Sequence, residues 1–204
     1  MIALREPKPA KRPPRNIPAH LVYEIMDGKP IYYRGYREVL LNKKTFEEIM
    51  GASSLQSIII YYLVSFIGKF IDEDKFTVLT GEAGLHLDHR NNLANDIAIF
   101  DNTILTPDKI NKKYADVPPK IAIEVDIAAD IEDLGESGYI YKKTQKLLSF
   151  GTETVFWVLT AAQVVIVATS EKIETFNWNK DIQLIDNQFF NIGKFLDKKG
   201  IVVE

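Results

Sequence analysis

The stretch that most constrains this chain lies between residues 53 and 72. Leu55, Ile58, Ile59, Tyr62, Leu63, Phe66, Ile67 and Phe70 recur at helical spacing, and Ser53 or Ser54 can cap the first turn. The apolar stripe is broad, so the helix is expected to be largely buried and to end near Asp72. A helix of this kind needs another layer to lie against. That layer is expected to be protein, because the longest apolar run, Ile58 to Ile67, is roughly half of what a membrane span requires.

The rest of the chain supplies strands. Val22 to Tyr33 reads as a β-hairpin turning at Asp27-Gly28, the pair that supplies positive φ. A short helix is expected at Thr45 to Met50. Phe76 to Thr80 and Gly84 to Leu87 read as strands on either side of a Gly81-Glu82 break. Asp96 to Phe100 and Lys120 to Asp126 follow as short apolar strands, with a helical turn between them at Pro107 to Lys113. Ser137 to Phe150 reads as a helix stopped by Gly151. Thr154 to Thr160 and Val164 to Thr169 are apolar enough to be central strands. Ile173 to Trp178 is expected to pair with them, and Phe189 to Leu196 to add a last helix or turn. The order predicts an α/β or α+β fold, a mixed sheet flanked by helices. The length of 204 residues, with no internal repeat, suits one domain over residues 19–204 preceded by an arm over residues 1–18.

Charge and composition narrow the function classes. There is no cysteine, which excludes disulfides, thiolate metal sites and a cysteine nucleophile and fits a reducing compartment. Met1 to Arg15 is charged and lacks the apolar core of a secretory signal, so an intracellular, cytoplasmic protein is expected. The net charge of −3 is uneven: residues 1–16 carry +4, leaving −7 on the remainder. An acidic body argues against tight, non-specific DNA binding over the whole surface, but a metal site is itself built from acids. Pro7, Pro9, Pro13, Pro14 and Pro18 should keep the arm extended. Its basic residues read either as phosphate contacts or as a solvated terminus.

Strand alternation places acids where they are costly. On Lys120 to Asp126, Ile121, Ile123 and Val125 share one face, and Ala122, Glu124 and Asp126 the other. On the earlier strand, Asp96 and Ala98 lie opposite Ile97 and Ile99. Acids aimed at a covered sheet face cost free energy unless they are paired or bind a cation. Carboxylates and a backbone carbonyl suit Mg²⁺ or Mn²⁺, not zinc. His20, His86 and His89 form no helical ligand pair and read as surface or turn residues. On the 137–150 helix, Lys143 lies at the edge of the face made by Ile140, Thr144, Leu147 and Leu148, whereas Lys142 and Lys146 point away. Lys143 can therefore reach back toward the sheet. Two readings stay open there: a cation serving a site beside the carboxylates, or a snorkelling lysine in a salt bridge.

At these residues the chain resembles the Uma family of restriction-endonuclease-like proteins, a bacterial branch of the PD-(D/E)xK nuclease superfamily. The likeness covers roughly Val22 to Phe176. It runs through Tyr23-Glu24 with Asp27-Gly28, the long helix, Asn95-Asp96-Ile97-Ala98-Ile99-Phe100, Pro118-Pro119, Ile123-Glu124-Val125, Asp133-Leu134-Gly135, Lys143 with Gly151, and Val155-Phe156-Trp157-Val158. The resemblance implies a restriction-endonuclease-like sheet with an N-terminal β-hairpin. It implies Asp96, Glu124 and the Val125 carbonyl as ligands of Mg²⁺ or Mn²⁺, Lys143 as the catalytic lysine and Glu82 as an additional catalytic acid. The implied reaction is metal-dependent endonucleolytic hydrolysis of DNA by an activated water. Three departures stand out. Asn95 replaces the proline that usually precedes the aspartate. Asp126 occupies a position that is lysine in the wider superfamily and usually apolar in this family. Ile127-Ala128-Ala129-Asp130 lacks the usual Ser-Pro-Ser. A degenerate member that binds nucleic acid or a protein without cleavage, and a regulatory protein whose acids merely cap strands and loops, are the competing readings. DNA is the expected partner, at low affinity outside the site. A homodimer is an expectation of double-strand cutting; Tyr32, Tyr33 and Tyr36 read equally as exposed aromatics lining such a contact or as sheet-edge packing.

Overall fold

The computed structural model describes residues 17–203. The basic arm lies outside the described residues apart from Ile17 and Pro18. The sheet begins with the hairpin β1 (Val22–Met26) and β2 (Lys29–Tyr32), turned by Asp27 and Gly28 at φ 56° and 73°. Helices α1 (Tyr36–Leu40), α2 (Glu47–Met50) and α3 (Ser54–Ile67) follow. Then come the long antiparallel pair β3 (Phe76–Asp88) and β4 (Asn91–Asp101), and the fully buried β5 (Ile121–Val125). Helix α4 (Glu136–Phe150) crosses from β5 to β6 (Thr154–Leu159), which runs parallel to β5. The sheet ends antiparallel with β7 (Val164–Ala168) and β8 (Ile173–Asn177). A small hairpin, β9 (Ile182–Ile185) and β10 (Gln188–Phe190), leads into α5 (Ile192–Lys198).

The order is β2-β1-β4-β5-β6-β7-β8, with β3 on the other edge of β4. Two cores sandwich it. On one face Ile97, Ile99, Ile121, Ile123 and Val125 meet α3 through Ile59, Leu63 and Ile67, and α5 through Ile192 and Leu196. On the other, Ala98, Phe100, Ala122 and Trp157 meet Tyr139, Ile140 and Leu147 of α4. The mixed α+β sheet flanked by helices and the opposite faces of β4 and β5 are thus as the alternation implied. No helix among the described residues is long and apolar enough to cross a membrane.

Several boundaries differ, each for a local reason. Helix α3 stops at Ile67 because Gly68 caps it; Phe70 and Ile71 then fold back onto the Ile67 carbonyl. The Gly81-Glu82 break does not end a strand. It is a bulge inside β3, where both residues take positive φ (77° and 58°) and the ladder to β4 resumes at Ala83. Asp126 leaves β5, at φ 60°. Helix α1 and the β9–β10 hairpin have too few residues to carry a readable period. Tyr36 is buried and stacked on Tyr32, while Tyr33 packs edge-on against Tyr23 and Phe46. Of the three, Tyr36 is interior, while Tyr32 and Tyr33 stay partly exposed and pack on neighbouring rings.

One feature of the topology positions everything that follows. Strands β1 and β5 both lie on the edge of β4 opposite β3, but β1 is in register with it at Asn92 and β5 only from Ile97 to Ile99. Between them the edge of β4 is a fork, and Ala94, Asn95 and Asp96 lie in it.

Candidate active site in the fork of the sheet

A strand edge inside a fork exposes backbone donors and acceptors that no ladder pairs. Side chains satisfy them here. Glu24 of β1 accepts from the Ala94 amide (3.0 Å), and Lys143 of α4 donates to the Ala94 carbonyl (2.7 Å). Lys143 also meets Glu24 at 2.6 Å and Glu124 at 2.8 Å. The ammonium is fully buried, walled by the rings of Tyr23, Tyr139 and Trp157, each with its centroid 5.7–5.9 Å away. Tyr139 donates its hydroxyl to the second oxygen of Glu24 (2.7 Å). The small residues Ala98 and Ala122 lie in the same core cluster as Tyr139.

Asp96 and Glu124 stand one step beyond the Ile97–Ile123 pair, on neighbouring strands and on the face of the sheet that α4 covers. The fold gathers these two acids and Lys143 into one region, but the three differ in access. Asp96 is half-buried. Its Oδ2 accepts from the Val125 amide (2.7 Å), and it lines an open groove of about 650 Å³ with Glu82, Asp126, Gln56, Arg34 and Lys44. Glu124 is only 3% exposed, with Oε1 held by Lys143 and by the Asn95 side-chain amide. Lys143 has no exposure. Glu82 reaches the groove because the β3 bulge swings it there, opposite Asp96. The Val125 carbonyl accepts from Gln56 at the start of α3 (2.7 Å).

Electrostatics follow from one ammonium serving several carboxyls. Burial pushes the Asp96 carboxyl up to about 6, only partly opposed by the Val125 amide and by Lys143. Burial pushes Glu124 further, to about 8; Lys143 opposes this, while Asp96 and Glu24 add to it. Burial alone would lower Lys143, but Glu124 and Glu24 outweigh it and the lysine stays charged. Glu82 is raised, mainly by desolvation. Tyr23 is raised by burial first and then by the charges of Glu124, Glu24, Asp96 and Glu82.

Three residues join this cluster to which the sequence reading gave no site role. Glu24 was legible: it sits between Val22 and Met26 on one face of an otherwise apolar strand, and such an acid needs a partner. Gln56 carries no signal beyond its place in the first turn of α3. Asn95 reads as the loss of a structural proline, yet its amide donates to Glu124; its own Oδ1 is buried without a partner. Asp126 is drawn away by the β6–β7 turn, accepting from the Thr160 amide (2.7 Å) and hydroxyl (2.8 Å). The histidines stay outside the cluster: His86 pairs with Asn92 (2.6 Å) and His20 packs on Phe46.

No model of a known protein family matches the sequence, and no curated protein matches it. Among solved structures, a candidate nuclease belonging to DUF820 from Anabaena variabilis superposes with a TM-score of 0.62. The match covers 85% of this chain and 89% of that one, at 15% identity. The likeness is one of fold: this chain has a nuclease-like α+β architecture, and the narrower Uma resemblance rests on the sequence motifs alone.

Proposed function

We propose that this chain is a metal-dependent DNA endonuclease that hydrolyses phosphodiester bonds. The observation that carries the reading is the pair of cross-strand carboxylates, Asp96 and Glu124, at the fork beside an open groove. Each has one oxygen held by the protein. Asp96 Oδ1 and Glu124 Oε2 make no hydrogen bond among the described residues.

The donor set fits Mg²⁺ or Mn²⁺. All the donors are oxygens, and four buried or groove-facing acids (Glu24, Glu82, Asp96, Glu124) surround one lysine. A divalent cation would offset both the burial that raises Asp96 and Glu124 and the neighbouring negative charge that adds to it. Among the described residues no three acids or histidines converge on one metal-sized point. Asp96 and Glu124 would therefore hold the ion with the Val125 carbonyl, which keeps a lone pair beyond its bond to Gln56. When bound, the ion would supply an acidified water as nucleophile and positive charge for the phosphoryl oxygens. Glu82 stands across the groove as a further acid able to orient that water. Arg34 and Lys44 at the groove wall suit a phosphate backbone. A homodimer belongs to this reading, since cutting both strands needs two copies of the groove.

A second reading, binding without cleavage, is favoured by the enclosure of Glu124 and Lys143. Supercoiled plasmid with Mg²⁺ or Mn²⁺ separates the two. Nicking or linearisation that EDTA and Asp96→Ala both abolish is the expected result. An unchanged plasmid, with DNA retarded on a gel, would establish the second reading; cleavage surviving in Asp96→Ala would place the activity elsewhere.

A further inference from the structure

Lys143 is the residue whose surroundings least fit a group that touches substrate. Its ammonium hydrogen-bonds Glu24 Oε1 (2.6 Å) and the Ala94 carbonyl (2.7 Å) and forms an ion pair with Glu124 Oε1 (2.8 Å). It has no exposed surface, and three aromatic rings close around it. To meet a phosphate in the groove it would have to give up charge-assisted bonds inside a low-dielectric pocket, each stronger than a neutral hydrogen bond.

Glu24 explains why the lysine is held so. It is 2% exposed, and both its oxygens are engaged: Oε1 by the Ala94 amide and Lys143, Oε2 by the Tyr139 hydroxyl. Three of its roughly four acceptor sites are thus taken, and it does not line the groove. The residue spans the fork, joining β1, β4 and α4 through one carboxylate. It also divides the ammonium's attraction between two carboxylates, and the nearest contact of Lys143 with Glu124 is to Oε1.

We propose that Glu24 is a positioning residue. By anchoring Lys143 in the fork it fixes Glu124 by one oxygen and leaves the other for a ligand, and Lys143 acts through Glu124 and never contacts the substrate. The inference rests on reading the fork as a metal site, and it assigns to Lys143 a role other than that of a catalytic cation.

The two roles differ in what a substitution removes. A lysine that touches phosphate can be lost with metal affinity intact. A lysine that orients a ligand cannot, and partners of this kind typically change metal affinity or activity by about 10- to 100-fold. The experiment is Mn²⁺ titration calorimetry, paired with plasmid-nicking kinetics, on the native protein and on Glu24→Gln and Lys143→Met. Both variants are expected to lose at least about tenfold in Mn²⁺ affinity and to lower kcat with KM for DNA unchanged. Lys143→Met with native Mn²⁺ affinity and lost turnover would overturn the proposal, as would Glu24→Gln with both quantities unchanged. Should those variants fail to fold, Tyr139→Phe removes a single bond to Glu24 and is expected to weaken Mn²⁺ binding in the same direction; unchanged binding there counts against the proposal. Failure of the functional reading is separately visible as a native protein that binds no Mn²⁺. The positioning claim is then scored by the metal-free crystal structure of Glu24→Gln: Glu124 displaced from Lys143 supports it, and Glu124 at its native separation refutes it.

Discussion

Replacing Asp96 by Asn should inactivate the protein and stabilise it, and the stabilisation should depend on pH. In the fold the Asp96 carboxyl is raised from 3.8 to about 6, chiefly by burial. An acid whose folded pKa is raised binds more protons folded than unfolded. Its stability contribution is therefore full below the unfolded value and is lost as pH rises through about 6. Complete ionisation across that gap costs on the order of 3 kcal/mol, and solvent reaching the half-buried side chain reduces it to about 2 kcal/mol. Asn carries no charge, and its side-chain oxygen can still accept from the Val125 amide. Urea unfolding in EDTA should show the variant more stable by about 2 kcal/mol at pH 8, with the gap shrinking below about 1 kcal/mol by pH 4. Excess Mn²⁺ should raise the stability of the native protein and not of the variant, reversing their order when the free ion is far above its dissociation constant. A variant less stable by the same amount at both pH values would refute the reasoning. It would mean that the carboxylate is a net structural asset and not a group held charged for a ligand.

Two further outcomes test how the scaffold holds this site. Gly151 ends α4 at φ 120°, and a Cβ there would lie 3.0 Å from Pro118. Gly151→Ala should cost about 1–3 kcal/mol in urea unfolding, from backbone strain and crowding of the loop that feeds β5; a cost below about 0.5 kcal/mol would show that the turn relaxes freely. At the hairpin tip, Asp27 pairs with Lys142 and Lys146 of α4, whose cations hold its carboxyl down at about 2. Asn tolerates the positive φ, so Asp27→Asn isolates the charge: a loss of about 0.2–1 kcal/mol at pH 7 is expected, shrinking as pH falls from about 4 toward 2 and as salt is added. A loss independent of both would show that the pairs are not electrostatic in origin.

Alternation and helical spacing sufficed for what lies within one element. The period of two in β4 and β5 shows that Asp96 and Glu124 share their faces with Ala98 and Ala122, and the 100° step of α4 shows that Lys143 alone of its three lysines turns inward. Neither period carries information about depth. Asp96 and Glu124 have the same alternation signature, yet one lines a groove and the other is sealed. The difference comes from the β3 bulge and the Gln56 end of α3, which open the wall on the Asp96 side, and from Asn95 and Lys143, which close it over Glu124. Tyr32, Tyr33 and Tyr36 show the same limit: an amphipathic ring looks alike in sequence whether it is buried, as Tyr36 is, or partly exposed, as Tyr32 and Tyr33 are.

The choice left open for Lys143, site cation or salt bridge, turns on a residue 119 positions earlier, Glu24. No local pattern links the two. What links them is the divergence of β1 and β5 along one edge of β4, which leaves the Ala94 amide and carbonyl unpaired in a dry interior. An unpaired backbone group there costs about 1–3 kcal/mol, so the fork has to be filled by side chains carrying one donor and one acceptor. A glutamate and a lysine supply both, and together they are neutral. The adjacent Glu124 then faces an ammonium whose charge is already shared; burial first, and after it the charges of Asp96 and Glu24, hold its proton up to about 8 against that ammonium. The same divergence of strands that makes the interior need a lysine thus creates, one residue further along, the uncompensated carboxylates that a divalent cation would satisfy.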